Sequence, residues 1–246
     1  MNNTKYVIGL AGLVVGFLVS FFWVSSYNRN NAPAAQTTVS GMPGGMPAAN
    51  SSGGQQAMMG QVQQIIEKAK NNPKDFQAQV DAAKAFNDIK RVPETVEYLK
   101  RAYESDPQEF VRRSQSDLQD ALPFIAMYYE QQKDYGESDK WIRHALDAAP
   151  SDAEQRTEFA STYIKRQPPQ PDKAIQELQT VLKANPKDAH ALGHLIEAYA
   201  VKKDAAGAED ALNRMREVEP GNKRLPALQS MVADLKAGKP VTLPKE

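Results

Sequence analysis

The chain contains no cysteine, which excludes disulfides, thiol nucleophiles and cysteine-ligated metals but leaves the compartment open. Glycine is scarce where a folded domain is expected. Nine of the 14 glycines lie in residues 1–60, and only Gly136, Gly193, Gly207, Gly221 and Gly238 follow. A stretch so poor in glycine, and rich in Ala, Gln, Glu and Lys, favours helix and has little material for hairpins or phosphate loops. The patterns GxSxG, GxxxxGK[ST], HExxH and GxGxxG are all absent, so none of the chemistries they carry is indicated. An excess of charge is lacking too. Thirty basic and 30 acidic residues cancel, and residues 61–246 hold 28 basic against 30 acidic. That imbalance is too small to steer partners and gives no ground for nucleic acid. No cofactor and no enzymatic activity are expected.

What is present begins with one long apolar run. After a short tail (residues 1–5), the segment Tyr6–Val24 carries no charge, and as a helix it spans roughly 28 Å, close to the ~30 Å hydrocarbon core of a bilayer. Trp23 and Tyr27 stand at its end, where aromatic side chains prefer the interface. A cleavable signal peptide has a shorter apolar run with a small-residue cleavage site close behind; the nearest such site here, Ala32-Pro33-Ala34, is displaced well beyond Val24. The segment 6–24 is therefore expected to be an uncleaved transmembrane anchor in the lipid bilayer. Lys5 and the amino terminus before the span outweigh Arg29 after it by one charge. The positive-inside tendency then puts the amino terminus in the cytoplasm and the rest outside, in the periplasm of a Gram-negative cell. Gly9, Gly12, Gly16 and Ser20 form one small-residue face containing GxxxG, which lets two such helices pack closely as a homodimer.

Residues 25–60 are rich in Gly, Pro, Ala, Ser and Asn and nearly uncharged. They bury too little surface to offset their ordering entropy and are expected to be a flexible linker reaching roughly 30 Å.

From residue 61 onward prolines punctuate helical stretches at Pro73, Pro107, Pro150, Pro186 and Pro220, at intervals of 34, 43, 36 and 34 residues. Such near-constancy predicts a repeat with insertions, each proline closing a helix it cannot continue. Registered on the prolines, apolar and small residues fall at matching offsets: Leu192, Leu195, Tyr199, Ala208, Leu212 and Met215 in the last block, and Leu122, Ile125, Ala126, Tyr129, Ser138, Ile142 and Ala145 two blocks earlier. Phe159, Ala160, Tyr163, Ala174, Leu178 and Val181 make the third set, and Ala82, Ala83, Phe86, Thr95, Leu99 and Ala102 a weaker first. Spacings of three and four put each set on one helix face.

This arrangement resembles the tetratricopeptide repeat, a helix–turn–helix unit of 34 residues. The resemblance covers residues 74–220 and is strongest in the last block, with Leu192, Leu195, Tyr199, Ala208 and Pro220. The signature tryptophan is replaced by Gln79, Leu122, Arg156 and Leu192, and the inter-helix glycine by Lys90, Lys133, Gln167 and Lys203. The 43-residue interval carries extra residues around Gln108–Ala121 that either lengthen a helix or form a loop. The fold implied is all-α: a helix–turn–helix solenoid of about four repeats (74–107, 117–150, 152–186 and 187–220) within a domain spanning 61–237. Met58–Lys70 and a helix over about 223–237 cap its open ends, and residues 238–246 form a tail.

The resemblance also implies a concave groove, lined by the first helix of each repeat, that takes a protein or peptide partner. Transferred to this sequence, that face exposes Lys84 and Asn87, then Phe124, Met127 and Gln131, then Glu154, Glu158, Ser161 and Lys165, and finally His190, His194 and Glu197. The glutamates suit a mixed apolar and basic segment. His190, His194 and Glu197, at spacings of four and three, share one helix face and could hold a metal; an exposed polar patch is the preferred expectation. The layout resembles anchored repeat proteins of bacterial envelope assembly, including those of cytochrome c biogenesis. The expected function is a membrane-tethered scaffold, the rival a dimeric spacer organised by the glycine face.

Overall fold

In the computed structural model, which describes residues 52–244, every regular element is a helix. Eleven helices are present among the described residues, and they divide into two compact units that meet at Ala148 and Ala149. The first unit contains α1 (Ser52–Asn71), α2 (Phe76–Asp88), α3 (Val92–Ser105), α4 (Pro107–Arg113), α5 (Ala121–Gln131) and α6 (Tyr135–Ala148). In the second are α7 (Ala153–Lys165), α8 (Pro171–Ala184), α9 (Ala189–Lys202), α10 (Ala205–Val218) and α11 (Leu225–Lys236). Helices pair in sequence order: α2 packs on α3, α5 on α6, α7 on α8 and α9 on α10. The expected anchor at 6–24, with its Gly9, Gly12, Gly16 and Ser20 face, lies outside the described residues. No described helix is long and apolar enough to cross a membrane. Helix α1 starts at Ser52, so its first turns come from the end of the stretch expected to be linker. Gln55, Gln56, Ala57, Met58 and Met59 are good helix formers, which accounts for the extension.

Five of the helices start at a capping aspartate. Asp75, Asp106, Asp152, Asp188 and Asp204 each accept a hydrogen bond from the backbone N–H three residues on, at 2.9–3.0 Å. An N-cap of this kind satisfies a donor that the helix itself cannot pair and contributes about 1 kcal/mol. Three caps follow a repeat-closing proline by two residues, in Pro73-Lys74-Asp75, Pro150-Ser151-Asp152 and Pro186-Lys187-Asp188. The proline ends one repeat and the aspartate starts the next.

In the first unit the core takes Val80, Ala82, Val96, Leu99, Ala102, Leu122, Ile125 and Trp141, all buried. The extra residues before α5 neither lengthen a helix nor make an open loop: they form α4 and a turn, because Pro107 at its first position and the Asp106 cap start a new helix. Phe110 of α4 is completely buried and meets Phe76 and Tyr103 edge-on at centroid distances of 6.3 and 5.5 Å. Gln79, at the signature tryptophan position, is buried and its amide donates to the carbonyls of Ala69 and Asn72, both at 2.9 Å. It thereby satisfies the end of α1 and joins that helix to the first hairpin.

In the second unit Phe159, Leu178, Leu192, Leu195, Leu212, Met215 and Leu228 form the core. Tyr199 lies so close to Gly207 that a Cβ there would stand 2.7 Å from the tyrosine ring. The small residue opposite a large one sets the α9–α10 approach. Arg156, another tryptophan-position residue, pairs with Glu177 across the α7–α8 hairpin. Three lysines at the inter-helix glycine position, Lys90, Lys133 and Lys203, have φ of 61°, 59° and 65°, the left-handed region that glycine enters without steric cost.

Candidate functional site

The expected groove residues separate into those the folded chain exposes and those it encloses. On α2, Lys84 is half-buried and pairs with Asp117 at 3.2 Å, while Asn87 is buried. Asp117 also receives Arg113, whose other terminal nitrogen donates to Gln77 at 2.7 Å. The guanidinium of Arg113 beside it holds the Asp117 carboxyl well below the usual carboxylate range. The turn after α4 thus engages the same α2 face that the repeat pattern leaves open, and Lys84 is not available there as a free cation. Phe124 and Met127 on α5 are half-buried and Gln131 is exposed.

The second unit departs further from expectation. Glu154, Glu158 and Lys165 on α7 are exposed, but Ser161 is buried at 3% exposure. On α9, His190 is exposed, whereas His194 and Glu197 retain only 1% and 4% of their accessible surface. His194 and Glu197 therefore line no open groove and are no exposed polar patch. Helix α11 packs on both α9 and α10, and the segment leading into it delivers Arg224 to this face.

The enclosed groups satisfy one another. Glu197 accepts from Arg224 Nη2 at 2.5 Å through one carboxylate oxygen and from His194 Nδ1 at 2.8 Å through the other. A buried carboxylate without such partners would be costly. Arg224 reaches Glu197 by crossing α9 at Gly193, where a Cβ would lie 3.0 Å from its Nη1. That contact explains a glycine in the middle of a helix, where it costs about 1 kcal/mol relative to alanine. Because a carboxylate only accepts, Nδ1 of His194 carries a proton. In the neutral ring Nε2 is then a lone pair, and it faces His190 Nε2 at 3.2 Å. Glu158 of α7 completes the set, with Oε1 3.8 Å from His190 Nε2. Among the described residues no ready-made group of three or more His, Asp or Glu side chains encloses a metal position.

Sequence reasoning placed His190, His194 and Glu197 on one helix but missed Arg224, which decides that Glu197 is enclosed. No local pattern marks it, since it comes from a segment 27 residues away. The third histidine, His144, lies in the first unit and bonds to the Tyr103 hydroxyl at 3.0 Å. Burial, reinforced by nearby Lys140, holds its pKa below the usual histidine range.

Comparison with known proteins agrees with the geometry. Tetratricopeptide repeat profiles match residues 121–152 and 170–235, the α5–α6 hairpin and the helices α8 to α11. The crystal structure of YrrB, described as a TPR protein with an unusual peptide-binding site, superposes with a TM-score of 0.52 at 12% identity. The match covers 72% of this chain and 86% of YrrB. MamA is similar at a TM-score of 0.50 and 13% identity, over 82% of this chain and 92% of its own. No curated protein sequence matches the chain. At such identities the likeness establishes the fold alone.

Proposed function

We propose that this repeat protein of tetratricopeptide type is a scaffold that holds a protein or peptide partner on the exposed faces of its repeat helices, tethered to a membrane by residues 6–24. The observation that carries the reading is the exposed row on α7. Glu154 and Glu158 stand one turn apart at the surface, and Glu154 makes no ion pair among the described residues. Solvated carboxylates contribute little to stability, so their value lies in what they meet. Similarity to YrrB, a TPR protein with a peptide-binding site, supports the same use of the fold here. The preferred partner is a segment mixing basic and apolar side chains. The acidic contribution comes from Glu154 and Glu158 rather than Glu197, whose charge Arg224 already neutralises.

The tether and the outward orientation rest on the Tyr6–Val24 run and the charges around it, and the role in envelope assembly rests on the resemblance of the layout to anchored envelope repeat proteins. Dimerisation through Gly12 and Gly16 gives the second reading, a spacer.

The test is capture of partners by the full-length chain against Glu154→Lys with Glu158→Lys. Exposed substitutions shift stability by no more than about 0.5 kcal/mol, whereas loss of a binding hot spot costs about 2 kcal/mol or more. We expect the double variant to melt like the parent and to lose its specific partner. If it keeps that partner while Gly12→Ile with Gly16→Ile loses function, the spacer reading replaces the scaffold.

A further inference from the structure

The geometry points to a zinc site on the second unit, formed by His190 and His194 Nε2 with Glu158 as the third ligand. Five observations lead there. The two Nε2 atoms lie 3.2 Å apart, and two nitrogens each about 2.0–2.1 Å from a tetrahedral zinc are separated by roughly 3.3 Å. Both imidazoles come from one helix at a spacing of four, so the backbone already fixes their approach and little order remains to be imposed on binding.

His194 is also prepared electronically. Its Nδ1–H donates to Glu197 at 2.8 Å, and Glu197 is itself held by Arg224 at 2.5 Å. A carboxylate behind a ligating histidine fixes the tautomer, turns the ring and raises the basicity of the nitrogen that faces the metal. Here it directs a lone pair at His190 from a ring that is almost wholly enclosed.

Charge and mobility complete the argument. Glu158 and Glu197 set two carboxylates against the single guanidinium of Arg224, leaving one negative charge for a cation to offset. Glu158 Oε1 is 3.8 Å from His190 Nε2 and its side chain is 60% exposed, so a rotamer change can bring the carboxylate inward. Imidazole with carboxylate is a donor set that zinc accepts readily. Glu197, which the sequence spacing allowed as a ligand, acts instead as a positioning residue behind His194. A fourth position remains open to water or to a donor side chain of a bound partner. This inference shares Glu158 with the scaffold reading and is separated from it by the histidines, which partner capture through Glu154 does not require.

The full-length chain, titrated with zinc by calorimetry, should bind one ion. His190 is exposed, so His190→Ala should keep the parent's melting curve while binding zinc at least about tenfold more weakly. Glu158→Gln should weaken binding to a smaller extent, and Glu197→Gln by about 10–100-fold through His194. His144→Ala, in the other unit, should bind as the parent does. Cobalt in place of zinc should give the visible absorption of a four-coordinate site, lost in His190→Ala. Absence of zinc binding by the parent, or equal affinity in His190→Ala, would overturn the assignment and leave the two rings as a hydrogen-bonded pair. A comparable loss in His144→Ala would place the metal elsewhere.

Discussion

Residues 61–148 contain ten aromatic side chains, whereas residues 149–246 contain only Phe159, Tyr163 and Tyr199. The two units use this difference to solve the same packing problem in different ways. In the first, Tyr103 touches Phe110 and Trp141 at centroid distances of 5.5 and 5.2 Å, and Phe76 reaches Phe110 from α2. Four helices are joined by edge contacts between rings, each favourable beyond its buried area. The second unit packs its helices through buried alanines such as Ala160, Ala174, Ala191, Ala198, Ala208 and Ala211. It then encloses a polar group, His194–Glu197–Arg224, under α11. Rings tolerate some misfit, but an enclosed carboxylate tolerates the loss of neither partner.

The largest effect that separates the two designs is expected at Phe110. Replacing it with alanine empties the junction of α2, α3 and α4 and should cost about 3–5 kcal/mol, the range for a buried phenylalanine. Urea unfolding measures it directly. Leu195→Ala in the second unit should fall in the same broad range, about 2–5 kcal/mol. A loss under about 1 kcal/mol at Phe110 would make α4 a peripheral addition and remove the aromatic side of the contrast.

Next in size comes the polar group. Arg224→Met keeps an apolar stem but leaves Glu197 enclosed without its guanidinium, and should cost about 2–4 kcal/mol. Removing the carboxylate as well, in Arg224→Met with Glu197→Leu, should restore much of that loss, because no charge is then left without its counter-ion. Urea unfolding of the two single variants and the double variant gives the coupling. If the double variant were as unstable as the sum of the singles, the three groups would be packing independently.

This contrast also explains what could be read from the residues alone. Helix faces were legible because periodicity is local: Leu192, Leu195, Leu212 and Met215, grouped by spacing, are all buried. The N-cap aspartates are legible in principle through the recurring Pro-x-Asp, although the proline by itself marks only the end of the helix before it. The enclosure of His194 and Glu197 was not legible. On α9 they share a face with exposed His190, and only Arg224 and the packing of α11 decide which part of that face is covered. The role of Gln79 was hidden for the same reason, since its partners Ala69 and Asn72 lie at and just beyond the end of the preceding helix.

The smallest predicted effect concerns a feature the two units share. Lys90 and Lys133 in the first and Lys203 in the second all take left-handed backbone conformations at the inter-helix turn. For an L-residue with a Cβ that conformation costs about 1–2 kcal/mol. Glycine escapes this cost but has more freedom to lose on folding, which returns roughly 0.5–1 kcal/mol. The net for Lys→Gly at each turn should therefore be stabilising by about 0.5 kcal/mol, readable as a small rise in the denaturation midpoint with an unchanged slope. Gln167 occupies the equivalent position in the α7–α8 hairpin without a positive φ. There glycine relieves nothing and only adds freedom to the unfolded chain, so Gln167→Gly should lower the midpoint. A gain at Gln167, or a loss at all three lysines, would show that the side chains at these turns contribute more than the backbone conformation costs. The similarity between the two units would then end at their turns.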